Sequence, residues 1–105
     1  MNVLFICNQN QNRSKKAQDL FSDKFNTQSA GLYNSNPVNE KQLSWADVVV
    51  VMEDNQRSEI AKRFPKQYLQ KRILSLDIPD IYDYQDSKLI GVLNDKMKEY
   101  SNILG

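Results

Sequence analysis

The chain has 105 residues, enough for one hydrophobic core and too few for two, so a single domain over residues 1–105 is expected. With 14 Lys and Arg against 13 Asp and Glu, the net charge of +1 gives no sign of a nucleic-acid binder or a polybasic membrane anchor. One Cys and no His leave no internal disulfide, no zinc site and no Ser-His or Cys-His pair, so any proton transfer falls to carboxylates.

The chain opens on Val3-Leu4-Phe5-Ile6, a buried-strand pattern that ends at Cys7. A polar loop, Asn8-Gln9-Asn10-Gln11-Asn12, leads to Arg13 and Ser14. Ala17, Leu20, Phe21 and Phe25 then recur at helical spacing, which predicts a helix from about Ser14 to Phe25, broken by Asn26 and Thr27. Gln28 to Gly31 reads as a second strand. After a polar loop from Tyr33 to Asn36, Pro37 suits the first turn of a short helix to Leu43 or Ser44, capped by Asn36.

Ala46 to Met52 is the strongest strand, apolar on both faces apart from Asp47, as strands of parallel sheets are. Asp54 is read as the cap of a helix to Phe64 that Pro65 stops. Arg72 to Leu76 reads as a fourth strand, Asp77 to Tyr84 as a loop, and Asp86 to Leu104 as the longest helix, with Leu89, Leu93, Met97, Tyr100 and Leu104 along one face. Four alternations of strand and helix predict an α/β three-layer sandwich, a four-stranded parallel sheet flanked by helices. No apolar run reaches the roughly 18 residues of a spanning helix, and no charged-then-apolar leader precedes the first strand, so a cytoplasmic location is expected.

Five residues separate Cys7 from Arg13, a CX5R motif on a strand-loop-helix. A loop closing onto a helix N-terminus aims unpaired N–H groups at one point, where the helix dipole adds partial positive charge. Thiolates form and anions bind at such places. The expected site is therefore a phosphate-binding loop after the first strand, with Cys7 as nucleophile and Arg13 as the planar fork that phosphate accepts. Ser14 can donate to the thiolate or cap the helix. The loop has no glycine, so Asn8, Asn10 and Asn12 are the residues expected to supply positive φ angles. Arg13, Lys15 and Lys16 carry the wrong sign for a bare helix N-terminus, a penalty that a bound anion reverses, although a lysine pair is usually a solvated face.

Ligands sit at the carboxyl ends of the strands in such sheets, which brings the loop from Asp77 to Tyr84 to the same edge as Cys7. A phosphomonoester cleaved by a thiolate needs a proton for its leaving oxygen, and the same group can later activate water. Asp77, Asp80 and Asp83 are the candidates, and Tyr82 and Tyr84 could wall a slot for a flat leaving group.

Together these stretches resemble the low-molecular-weight protein tyrosine phosphatases, of which the chain looks like a short, divergent member. Val3 to Cys7 with Asn10, Arg13 and Ser14 match the nucleophile loop, Ser29-Ala30-Gly31 the second strand, Ala46 to Met52 the third, and Ile78 to Tyr82 the acid loop. The resemblance implies a hydrolase acting on phosphotyrosine or a related aryl phosphomonoester through a cysteinyl-phosphate intermediate, with no cofactor and no metal. Its partners would be a phosphorylated protein or a small phosphomonoester, with no nucleic acid and no membrane. Cys7 would be the nucleophile, Arg13 the phosphate clamp and Asp80 the general acid. The amides of Asn8, Gln9, Asn10, Gln11, Asn12 and Arg13 would form the cradle, Ser14 would hold the thiolate, Asn10 would fix the loop shape, Tyr82 would line the slot, and Ser29 would buttress Asn10.

The chain departs from the family at Gln9, where glycine is usual, at Asn12, where many members have a second cysteine, at Lys15, where proline is usual, and at Ile81, where the acid loop has proline. Without a second cysteine, oxidised Cys7 has no internal thiol to capture it. Two other functions share the loop. An arsenate reductase of the thioredoxin-coupled kind needs additional cysteines, which are absent here. A non-catalytic phosphate- or phosphopeptide-binding module fits Gln9 and Ile81 but has no need of Cys7, Arg13 and Asp80 together.

Overall fold

The computed structural model describes residues 1–104. In chain order its elements are β1 (Asn2–Cys7), α1 (Arg13–Leu20), β2 (Asn26–Gly31), α2 (Glu40–Trp45), β3 (Val48–Val51), α3 (Asp54–Arg63), α4 (Pro65–Gln70), β4 (Arg72–Ser75), α5 (Ser87–Lys98) and α6 (Ser101–Leu104). The strands form one sheet in the order β2-β1-β3-β4, and every neighbouring pair is parallel. This is the expected three-layer α/β sandwich.

Strand side chains alternate between faces, and the two cores follow from that alternation. Val3, Phe5 and Cys7 of β1, with Val48, Val50 and Met52, join Ala17 and Phe21 and then Leu89, Leu93 and Met97 of α5. The rings of Phe5 and Phe21 stack with centroids 5.9 Å apart. On the other face, Leu4, Ile6, Val49 and Val51 pack with Leu43 of α2 and Ile60 of α3, and with Phe64 and Tyr68 at their margin. All four residues of β3 are buried, as a strand covered by helices on both sides requires.

The register places Cys7 beside Gly31, Ile6 beside Val51 and Val51 beside Ser75. The carboxyl ends of the strands thus form one row, from which the loops after β1, β3 and β4 all emerge. Gly31 lies in this row, where a Cβ would meet the Asn34 side chain at 2.7 Å and the Asn8 carbonyl oxygen at 3.0 Å. Its lack of a side chain lets the turn after β2 pack directly on the loop after β1.

Several element ends differ from the sequence expectation. The helix after the loop stops at Leu20, and Asn26 and Thr27 belong to β2, paired with Asn2 and Val3. Pairing along β1 outweighs the helical spacing of Phe25. The second helix begins at Glu40, capped by Asn39 and not Asn36. Asn39 Oδ1 accepts from the Gln42 amide at 2.9 Å, and Gln42 Oε1 accepts from the Asn39 amide at 3.2 Å. Glu53, not Asp54, occupies the N-cap of α3. Pro65 ends one helix and opens another, α4, at the position where its missing N–H costs nothing. The last helix is split. Around Glu99 and Tyr100 the amides shift to acceptors three residues back, and the Tyr100 hydroxyl donates to the Ser75 carbonyl at 2.9 Å. That tighter turn lets Leu104 join the core.

Candidate active site

Cys7 ends β1 with its side chain buried, and its Sγ lies 2.9 Å from Ser14 Oγ. The Asn10 amide donates to the same sulfur at 3.2 Å. Ser14 Oγ also donates to Asn10 Oδ1 at 2.8 Å. Among the three loop asparagines only Asn10 has a positive φ, at 55°, and its side chain offers the local hydrogen bond that makes such a conformation tolerable. Asn8 and Asn12 were expected to share that task and do not.

At the loop's far end α1 starts without a side-chain cap at Asn12 and without an acidic residue in its first turn. Among the described residues no protein acceptor takes the amides of Gln9, Gln11 and Asn12. Free backbone N–H groups are strong donors, and the uncapped start of α1 adds partial positive charge beside them. Gln9 and Gln11 expose their side chains to solvent.

Arg13 is 1% exposed, an uncommon state for a guanidinium. Its Nη1 donates to Glu53 Oε1 at 2.5 Å and to the Ile78 carbonyl at 2.8 Å. Its Nε edge faces Asp80 Oδ1 at 3.7 Å. One arginine therefore joins the loops after β1, β3 and β4. Of the three acid candidates only Asp80 forms an ion pair with Arg13. Asp77 is exposed with φ 55°, and Asp83 turns its carboxylate to the Gln85 amide at 3.0 Å.

Asn8 is held from two sides. Its carbonyl accepts from Leu32 and Tyr33 at 2.9 Å each, and its Oδ1 accepts from Gln56 Nε2 at 3.1 Å. Gln56 is buried, and its Oε1 also takes the amides of Met52 and Glu53. Asn12 Oδ1 accepts from the Tyr84 amide at 3.0 Å. Tyr82 is half-buried and packs against the core cluster of α1 and α5. Lys15 is exposed, whereas Lys16 Nζ sits 4.2 Å over the Tyr84 ring. Trp45 packs at the edge of the second core.

The expected link from Ser29 to Asn10 is corrected. Ser29 pairs with Phe5, two positions below Cys7 along the strand, about 7 Å short of the loop. Its hydroxyl donates to Gln18 of α1 instead, and Ser14 takes its place at Asn10.

Glu53 and Gln56 escaped the sequence reading. Both follow the carboxyl end of β3, where the rule that led to the loop after β4 applies equally.

Comparison with solved structures fixes the fold. The solution structure of a low-molecular-weight protein tyrosine phosphatase from Bacillus subtilis aligns with a TM-score of 0.74 at 20% identity, covering 98% of this chain and 99% of that one. The chain has the low-molecular-weight protein tyrosine phosphatase fold. The tyrosine phosphatase Wzb from Escherichia coli K30, in complex with phosphate, aligns at 0.72 with 17% identity over 99% of this chain and 98% of that one. The YwlE arginine phosphatase from Geobacillus stearothermophilus aligns at 0.66 with 19% identity over 98% and 87%. No protein-family model and no curated protein matches the chain.

Proposed function

We propose that the protein is a cysteine-dependent phosphatase. The observation that carries this is the meeting, at one sheet edge, of Cys7, three unpaired loop amides and an Arg13 whose Nε edge is 3.7 Å from Asp80. Cys7 Sγ attacks phosphorus as the bond to the leaving oxygen breaks, and Asp80 gives that oxygen its proton. The loop amides and Arg13 stabilise the equatorial oxygens in the transition state. In the second half Asp80 takes a proton from water, the water oxygen attacks phosphorus, and the sulfur–phosphorus bond breaks to release phosphate. Ser14 then donates to the departing thiolate.

The substrate class is phosphotyrosine or a related aryl phosphomonoester, free or on a protein, met in the cytoplasm. Among the described residues no helix is long and apolar enough to cross a membrane. The arginine phosphatase among the structural neighbours makes phosphoarginine the second substrate to try.

The test is hydrolysis of p-nitrophenyl phosphate, phosphotyrosine and phosphoarginine without added metal. Cys7→Ser should abolish turnover and Asp80→Asn should lower it by about 10²- to 10⁴-fold. A wild-type protein that turns over none of these, yet is protected by phosphate or vanadate against thermal unfolding, would be a phosphate-binding module instead.

A further inference from the structure

Two neighbouring residues hold the two ends of the acid segment. Arg13 Nη1 donates to the Ile78 carbonyl at 2.8 Å, just before the segment. Asn12 Oδ1 accepts from the Tyr84 amide at 3.0 Å, just after it. Residues 79–83 span the gap and contain Asp80. Inside the span the backbone has one hydrogen bond of its own, from the Ile81 amide to the Pro79 carbonyl at 3.0 Å. The side chains of Asp80 and Ile81 are exposed. Within the segment Tyr82 alone packs against the core, and the Asp80 carboxylate is held by its 3.7 Å contact with Arg13.

The far end is gripped more broadly than by one amide. Lys16 lies over the Tyr84 ring at 4.2 Å, and the Tyr84 hydroxyl donates to Asp19. Asn12, Lys16 and Asp19 follow one another at helical spacing along the start of α1, so Tyr84 lies along a single face. Asn12 is also the N-cap position of α1, yet its side chain makes no capping bond. The carbonyl oxygen that would ordinarily cap the helix is spent on the acid loop.

We propose that Asn12 is a positioning residue for the general acid: with Arg13 it clamps both ends of segment 79–83 and so aims Asp80 at the leaving group. This rests on the phosphatase assignment for its effect on turnover, but not for the clamp itself. Because Asn12 and Arg13 also belong to the anion loop, the acid and the phosphate cradle share one frame.

Two readouts separate the clamp from the chemistry. Amide hydrogen exchange should show the Tyr84 amide protected in the wild type, unprotected in Asn12→Ala, and protected again in Asn12→Asp, which keeps an acceptor oxygen. Amides of β1 and β3 should be unchanged. A Tyr84 amide equally protected in Asn12→Ala overturns the proposal whether or not the protein is an enzyme. The second readout is leaving-group dependence. A misaimed acid matters most when the leaving oxygen is basic, so Asn12→Ala should lose about tenfold in kcat/KM on phenyl phosphate and far less on p-nitrophenyl phosphate. Adding Asp80→Asn to Asn12→Ala should cost less than in the wild type. Equal losses on both esters, or full additivity with Asp80→Asn, overturn it. Absence of any wild-type turnover would instead count against the phosphatase assignment and leave the exchange result to decide the clamp.

Discussion

Ser14 has one hydroxyl proton and two neighbours that can take it. While Cys7 carries its own proton, the thiol donates to Ser14 and Ser14 donates to Asn10 Oδ1. When Cys7 is a thiolate, Ser14 can swing its proton to sulfur and join the Asn10 amide there. This exchange needs both Ser14 and a loop residue with φ 55°, and asparagine supplies the latter without glycine. The residues alone left three asparagines open for that role, the family resemblance pointed to Asn10, and loop closure gives the positive φ to Asn10. The Cys7 sulfur is also a target for oxidation. Since Cys7 is the only cysteine, its sulfenic acid cannot be captured by an internal thiol. Limited peroxide should therefore drive Cys7 to the sulfinic acid, seen in intact mass as a gain of two oxygens that thiol reductant does not reverse. Full recovery of activity and mass on reduction would contradict this.

At the scale of elements, polar residues at the ends mattered more than the apolar periodicity that identified the elements. The helix α2 has the sharpest example, because Asn36 and Asn39 both precede a helical stretch and only Asn39 has Gln42 three residues on. Asn39→Ala should cost about 1 kcal/mol, which in a chain of this size lowers the thermal midpoint by roughly 4–8 °C. Asn36→Ala should leave it nearly unchanged. Thermal unfolding followed by circular dichroism compares the two directly, and the reverse order would move the cap back to Asn36. The split of the last helix had no local signal. It follows from the Tyr100 hydroxyl reaching Ser75, twenty-five positions earlier in sequence.

Across the whole molecule, the sheet edge gathers what the chain scatters. Arg13, Glu53 and Asp80 stand far apart in sequence and meet because β1, β3 and β4 end in one row. Tyr84 extends the same assembly to α1, with a pH-dependent consequence. Its hydrogen bond to Asp19, followed by desolvation and the Asp19 charge, raises the phenol above its ordinary 10.0. The native state thus holds this proton more tightly than the unfolded chain. The stabilisation is fully present below about pH 10 and is lost as pH rises through the raised value. The difference in urea midpoint between wild type and Tyr84→Phe should be constant at neutral pH and shrink only in the alkaline range. A difference that grows with pH would reverse the sign of the linkage.

The sequence by itself determined the fold class, the four strands and their alternation with helices apart from α4 and the split of the last helix, the Cys7 to Ser14 loop and the segment bearing Asp80. Those features are local: apolar runs of strand and helix period, and a CX5R spacing on a strand-loop-helix. Tertiary structure alone decided that Asp80 and not Asp77 or Asp83 faces Arg13, that Glu53 and Gln56 support the site, and that Ser29 serves Gln18. Each is a contact between elements, set by strand register and helix packing, and no spacing along the chain encodes how far a side chain sits from a residue seventy positions away.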